Sequence, residues 1–317
     1  MFTNNKPWIT LTQRHGDVKM GSGGVWETMW MDNGLCRLCL VYTRSKDLIK
    51  MNKEDKLHEL LIKLAELVKN TNSRSMAFAE SFNYVKHLLN SEDPYRHVKY
   101  GLNQLGMKLV NEIESYLERV NWDLNEAMRL SAAANIIDTA VLGYEANDLQ
   151  KAIWDKPLIE EIPELPRNRD IYLVLDNAGE AVIDILLAKT LKRHGYRVVI
   201  AVRKESYEID VLLNDLEYMS ELAEDIDIVE TPGNISPLFH ITGDDVFVIA
   251  KGIANLEAYI EIGEVPSLHL FRAKCDVLAK VLSVPKNSPI IVTGHTAKKL
   301  ILRERLWENS YWGKSSQ

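Results

Sequence analysis

The chain has 317 residues, 46% of them apolar and 26% charged, the make-up of a globular protein with one large domain or two ordinary ones. Its net charge of -7 argues against a surface built to coat nucleic acid, and no apolar run is long enough to cross a bilayer. The N-terminal residues lack the basic-then-apolar order of a secretory signal and three cysteines make no disulfide framework, so a reducing cytoplasm is the expected home.

In chain order, residues 1–33 are polar, carry Gly21, Gly23 and Gly24, and show no period; they read as a loosely ordered extension. Residues 34–160 read as a helical subdomain. Leucines recur on one face of 56–69, a second amphipathic stretch covers 75–90, and 93–117 predicts one long helix with Asp93 as its cap and Pro94 in its first turn. A fourth helix is expected over 123–144, with small residues at its centre. Pro163 and Pro166 among charges mark a boundary.

From 161 to 317 strands and helices alternate. Strands are expected at 171–176, 197–203, 226–231, 246–251, 268–272 and 289–294, and helices at 178–194, 209–223, 254–263, 273–283 and 296–306. The predicted fold class is therefore α/β: a helical subdomain followed by a Rossmann-like, doubly wound, mostly parallel sheet. Right-handed crossovers would open the strand-to-helix loops on one edge.

The stretch 171–184, IYLVLDNAGEAVID, organises that half. Its apolar start suits a strand buried on both faces, and Ala178, Val182, Ile183, Leu186 and Leu187 then recur at helical spacing. Asp176, Asn177 and Glu180 fall between, where open α/β sheets bind ligands. Later strand ends add Arg203, Lys204, Glu205 and Asp210, then Lys251, Gly252, Asn255 and Glu257, then Arg272, Lys274 and Asp276. Carboxylates and amides suit a hard cation, and lysines suit phosphate. Each residue also has a plain structural role open to it, as a helix cap or a solvated lysine; their shared edge is what points to chemistry. The pair Cys36 and Cys39 has CxxC spacing, which suits a metal half-site, thiol exchange or packing, and no second CxxC or histidine pair completes it. No glycine-rich GxGxxG follows the first strand, which counts against a dinucleotide.

These residues are similar to those of the metal-dependent damage-control phosphatases, long known as a domain of unknown function. The matching pieces are DNAGE at 176–180 with Asp184, Asp210, KGIANLE at 251–257, RAKC at 272–275, DPYRHVK at 93–99 and ANIID at 134–138; Ala134 stands where the family has glycine. CRLC at 36–39 resembles the CxxC-bearing, mostly prokaryotic branch. The resemblance implies a divalent metal, Mg²⁺, Mn²⁺, Co²⁺ or Ni²⁺, on Asp176, Asn177 and Asp210, with Asp215 a rival for the last. It implies catalytic roles for Asp176, Lys251 and Lys274, and substrate binding by Asn177, Glu180, Gly252, Asn255 and Glu257.

The function expected is metal-dependent hydrolysis of small phosphate monoesters, sugar phosphates or damaged phosphometabolites, with water or Asp176 as nucleophile and with neither nucleic acid nor membrane as partner. The alternatives are a nucleotide- or methyl-donor-binding transferase on the same fold, and a non-catalytic metal-binding module. The cysteine pair is expected to take no part in hydrolysis, because it belongs to the helical half.

Overall fold

The structure, a computed structural model, describes residues 30–137, 148–263 and 265–312. The expected extension up to residue 29, Asp138 and the expected helical residues 139–144 lie outside the described residues. Trp30 and Met31 belong to the core: the indole of Trp30 packs on Phe78 and donates to the Thr71 carbonyl.

The helical half contains α1 (Leu35–Lys50), α2 (Leu57–Asn70), α3 (Arg74–Leu89), α4 (Arg96–Met107), α5 (Val110–Arg119), α6 (Leu124–Ala134) and the short α7 (Leu149–Ala152). The apolar stripe of α2 sends Leu60, Leu64 and Leu67 inward, and α1, α2 and α3 pack together. Ser73 caps α3 and Asp123 caps α6, each accepting from a backbone N–H three residues on.

Two helices end earlier than their periodicity suggests. The long helix expected over 93–117 is two, α4 and α5, parted at Lys108 and Leu109. Its expected cap, Asp93, instead accepts from Ser206 and pairs with Lys99, and the helix starts at Arg96. The helix expected over 123–144 stops at Ala134, because Asn135 leaves helical backbone and turns its side chain into the interior.

The second half is a seven-stranded sheet of β1 (Ile159–Glu160), β2 (Asp170–Val174), β3 (Val198–Arg203), β4 (Asp227–Thr231), β5 (Val246–Lys251), β6 (Ser267–Arg272) and β7 (Pro289–Thr293). The order is β1-β7-β6-β5-β2-β3-β4. Every pairing is parallel except β6 with β7. The two-residue β1 was not expected from the sequence. The antiparallel β7 sends its C-terminal end to the opposite edge from β2, β3, β5 and β6.

Side chains along β3, β5 and β6 are buried throughout, as a sheet covered on both faces requires. Each buried Leu, Ile or Val there contributes about 1.5–3 kcal/mol. The covering helices are α8 (Ala181–Arg193), α10 (Gly252–Ile262), α11 (Asp276–Leu282) and α12 (Gly294–Trp312). The expected helix over 209–223 shrinks to α9 (Leu213–Leu216) and one 3₁₀ turn, Glu217–Met219.

The apolar core is continuous between the halves: Phe82 and Ala132 belong to the same cluster as Leu173 and Val248. Helix α6 packs on α8 and across β6 and β7. Arg272 ties this junction, donating from Nε to the Ala133 carbonyl at 2.7 Å and from Nη2 to the Ala152 carbonyl at 2.8 Å. From β2 the chain runs outward through β3 and β4, then returns to place β5 and β6 on the other side. The C-terminal end of β2 therefore lies at the point where the strand order reverses, beside the end of β5.

Candidate active site

Asp176 and Asn177 follow β2 after one residue, Leu175. The chain around Asp210 returns to meet them: Val211 N–H donates to the Asp176 carbonyl and Ala178 N–H to the Ile209 carbonyl, both at 2.9 Å. Asn177 and Asp210 form an antiparallel bridge. Backbone pairing, not a helix start, thus holds Asp210 opposite Asn177. The rival Asp215 is engaged elsewhere, by Lys99 Nζ at 2.7 Å and its own helix start.

The Asp176 carboxylate is fixed through one oxygen. Oδ2 accepts from Asn135 Nδ2 and from Asn177 Nδ2, each at 3.0 Å. Asn177 Nδ2 also donates to the Ile137 carbonyl and to Glu180, so its amide nitrogen faces inward and its amide oxygen is turned the other way. Gly252 makes room for this carboxylate. A Cβ there would lie 1.9 Å from Asp176 Oδ2, and the backbone sits at φ +75°, where L residues are strained.

Behind the carboxylate lies a second, fully buried group. Glu180 accepts from Asn135 Nδ2 at 2.8 Å and from the Asn177 backbone at 3.0 Å. Asp184 accepts from Ser131 Oγ and pairs with Lys251 Nζ at 3.1 Å, and that ammonium also donates to the Ser131 carbonyl. Asn255 donates to the Leu175 and Lys251 carbonyls and accepts from Ser236. Three expected site residues, Glu180, Lys251 and Asn255, are therefore buried behind the crevice and hold its floor. Among the described residues they do not line its cavity.

That cavity encloses about 520 Å³, counting its opening to solvent. Asp176, Asn177, Asp210, Glu257 and Lys274 line it. Lys274 is almost fully buried and its ammonium donates to the Ile137 carbonyl at 3.0 Å. Lys204, Glu205 and Asp276, which also follow strands, point to solvent.

Burial raises the Asp176 carboxyl well above the usual carboxylate range, with further pushes from Asp210 and Glu180 and a partial offset from Lys274. Glu180 is pushed up to about 7 by burial, against the pull of Lys251 and Lys274. Burial raises Asp184 too, against Lys251.

Part of the rest of the wall comes from the helical half. Arg74, at the start of α3, lies flat on Phe78 at 4.0 Å and pairs with Glu257. Arg44 reaches from α1 to Glu208. Cys39 and Thr43 of α1 also line the cavity, so the CxxC helix is part of the wall even though it belongs to the helical half. Asn135 lies in the matching ANIID stretch, but its contact with Asp176 depends on α6 ending at Ala134, which no local pattern shows.

Among the described residues no three His, Cys, Asp or Glu side chains form a metal cage. What lines the cavity together is two carboxylates, Asp176 and Asp210, and the amide of Asn177. These are hard oxygen donors, and Asp210 and Glu180 crowd negative charge around Asp176 that a cation would offset. The donor set fits a hard divalent ion.

Residues 35–290 match the damage-control phosphatase ARMT1-like domain. The chain belongs to that family. It is 27% identical to a damage-control phosphatase of Archaeoglobus fulgidus over 219 residues, 63% of this chain and 75% of that one. It is likewise 27% identical to a damage-control phosphatase of Pyrococcus horikoshii over 235 residues, 68% of this chain and 78% of the relative. The crystal structure of a DUF89-family protein from P. horikoshii shares the fold, with a TM-score of 0.67 and 24% identity over 82% of this chain and 97% of that one. The damage-control phosphatase fold thus accounts for both halves, and a phosphatase is the general class of activity that family membership supports. No helix among the described residues is long and apolar enough to cross a membrane.

Proposed function

We propose that the protein is a metal-dependent phosphatase acting on small phosphate monoesters such as sugar phosphates or damaged phosphometabolites. One observation carries this reading: Asp176, Asn177 and Asp210 meet at the reversal point of the sheet, on a cavity whose wall also holds the buried ammonium of Lys274. Asp176, Asn177 and Asp210 would hold Mg²⁺, Mn²⁺ or a similar ion. Once bound, the ion supplies Lewis-acid stabilisation of charge on the transferring phosphoryl group.

The chain's own groups do the rest. Asn135 and Asn177 fix Asp176 through Oδ2, which leaves Oδ1 as the oxygen directed to an incoming ligand. Arg203 Nε holds Asp210 Oδ2 at 2.6 Å, setting that carboxylate in turn. Lys274 places a fixed positive charge where phosphoryl oxygens gain negative charge, and it needs no rearrangement to do so. Lys251 offsets Asp184 and lets a second buried carboxylate sit behind Glu180; its role is to position. Gly252 admits the Asp176 carboxylate, and Glu257 holds Arg74 at the mouth.

The test is Lys274→Ala, measured two ways. For an aryl phosphate, kcat/KM is expected to fall by about 10²-fold or more, the usual cost of removing one preorganised electrostatic contact. Affinity for Mn²⁺, set by Asp176, Asn177 and Asp210, is expected to change little. An unchanged kcat/KM would remove Lys274 from the reaction, and lost Mn²⁺ binding would mean that the crevice is built differently.

A further inference from the structure

A second cavity, enclosing about 260 Å³ with its opening, adjoins the first and shares Arg74, Phe78, Tyr207 and Ala254 with it. Its lining differs in charge. Two guanidiniums, Arg74 and Arg203, face it, together with Ser75, Asn234 and Ser236. Among the described residues, none of its lining side chains is acidic. The first cavity carries Asp176, Asp210, Glu208 and Glu257. The first cavity thus mixes these acids with Lys274 and Arg74, whereas the charged side chains of the second are cationic alone.

Each guanidinium gives one edge to a carboxylate of the first cavity: Arg203 to Asp210, Arg74 to Glu257. Each guanidinium plane also stacks on an aromatic ring. Arg203 lies over Tyr207 at 4.7 Å and gives Nη1 to the Asn234 carbonyl at 2.7 Å, whereas Arg74 lies over Phe78 at 4.0 Å and its Nε meets no protein acceptor. Two buried donors on this wall have no hydrogen-bond partner: Arg74 Nε and Ser75 Oγ. A buried N–H or O–H left unpaired costs roughly 1–3 kcal/mol, and such groups are rare unless a ligand or water meets them.

We infer that the second cavity is an anion subsite, and that the substrate class is a phosphate monoester carrying a second anionic group, a carboxylate or another phosphate. This rests on the phosphatase reading: the scissile phosphate takes the Asp176 and Lys274 side, and the second anion takes the Arg74 and Ser75 side. Arg74 is the specificity-determining residue, because it borders both cavities and its planar fork matches an oxyanion. Arg203 is held to Asp210 and adds positive field.

The experiment uses calorimetry on the full chain in Mg²⁺ with three non-hydrolysable probes: propylphosphonate, 3-phosphonopropionate, and propane-1,3-bisphosphonate. At least one two-headed probe is expected to bind ten-fold or more tightly than propylphosphonate, and the arm with the larger gain identifies the second group. In Arg74→Gln that ratio is expected to fall to near one, and in Arg74→Lys to an intermediate value. Ser75→Ala is expected to lower it several-fold, which covers a failure of the Arg74 variants to fold. Equal affinity for all three probes in the wild type overturns the subsite, as does a ratio that survives both Arg74→Gln and Ser75→Ala. A uniform loss for all probes in Arg74→Gln, with the ratio kept, does the same and leaves Arg74 as a counter-charge to Glu257. The parent reading fails separately. A protein that prefers two-headed probes yet hydrolyses no phosphate ester keeps the subsite and loses the phosphatase, and one that hydrolyses an aryl phosphate but binds the probes alike does the reverse.

Discussion

Asp176→Asn is expected to lose aryl-phosphate turnover by about 10³-fold or more, and to leave a metal-free protein at least as stable as the wild type at neutral pH. The loss follows from removing the carboxylate that two amides hold at the cavity, and it exceeds the loss for one electrostatic donor because the proposed seat of the ion goes with it. The stability effect comes from burial. Asp176, Glu180 and Asp184 all have carboxyls raised above their ordinary range, Glu180 from 4.5 to about 7. A raised carboxyl pKa means that the folded protein binds more protons than the unfolded chain between the two values. Stability is therefore greatest below the unfolded pKa and is lost as pH rises through the folded one. For Glu180 this window runs from about pH 4.5 to about pH 7 and is worth at most roughly 3 kcal/mol. Metal-stripped wild type should thus melt at a higher temperature at pH 5.5 than at pH 8. Asp176→Asn, with one charge fewer beside Glu180, should show a flatter profile. A variant that turns over normally, or a wild-type melting temperature that climbs from pH 5.5 to 8, would contradict the assignment.

Gly252→Ala is the second large effect. Its Cβ would stand 1.9 Å from Asp176 Oδ2 and 2.3 Å from Cγ, distances that no real contact allows, on backbone at φ +75°. The strain costs roughly 1–3 kcal/mol before any clash is relieved. Relief can come only by moving Asp176 off its amides or by shifting the β5–α10 turn. Either change displaces the carboxylate proposed to hold the ion. The expected outcome is a melting temperature lower by several degrees and activity lower by about 10²-fold, since displacements of about 1 Å cost that much. Turnover near the wild-type level in a Gly252→Ala protein would mean that Asp176 is not held where the structure puts it.

Much of this architecture was legible in the sequence because it rests on patterns with a local cause. Strand β2 reads as an unbroken apolar run since both faces are covered, and Asp176 and Asn177 stand out as the first polar residues after it. The same contrast marks Lys251 as the last residue of β5, and Arg272 and Lys274 at and after the end of β6. What escaped notice depends on tertiary contacts. Residues 209–223 have helical composition, but Asp210 is bridged to Asn177 and Leu212 to Arg203, so the first residues are spent on extended pairing and only a short helix follows. The helix expected over 93–117 parts just after Gly106, a weak helix former that lies against Gly179 at the start of the site loop. Sequence position also misjudged depth. Glu180 and Asn255 share motifs with cavity residues but point behind the crevice, while Thr43 and Arg74 reach its wall with no motif to mark them, and Cys39 brings the CxxC pair's helix there.

The central claim is that Asp176, Asn177 and Asp210 seat a divalent ion that hydrolysis requires. The most direct measurement is turnover of p-nitrophenyl phosphate by protein stripped with EDTA and dialysed, before and after Mg²⁺ or Mn²⁺ is restored, with Asp210→Asn run beside it. The account predicts no turnover after stripping, recovery on adding back the ion, and no recovery in Asp210→Asn. Undiminished turnover by the stripped wild type would contradict it.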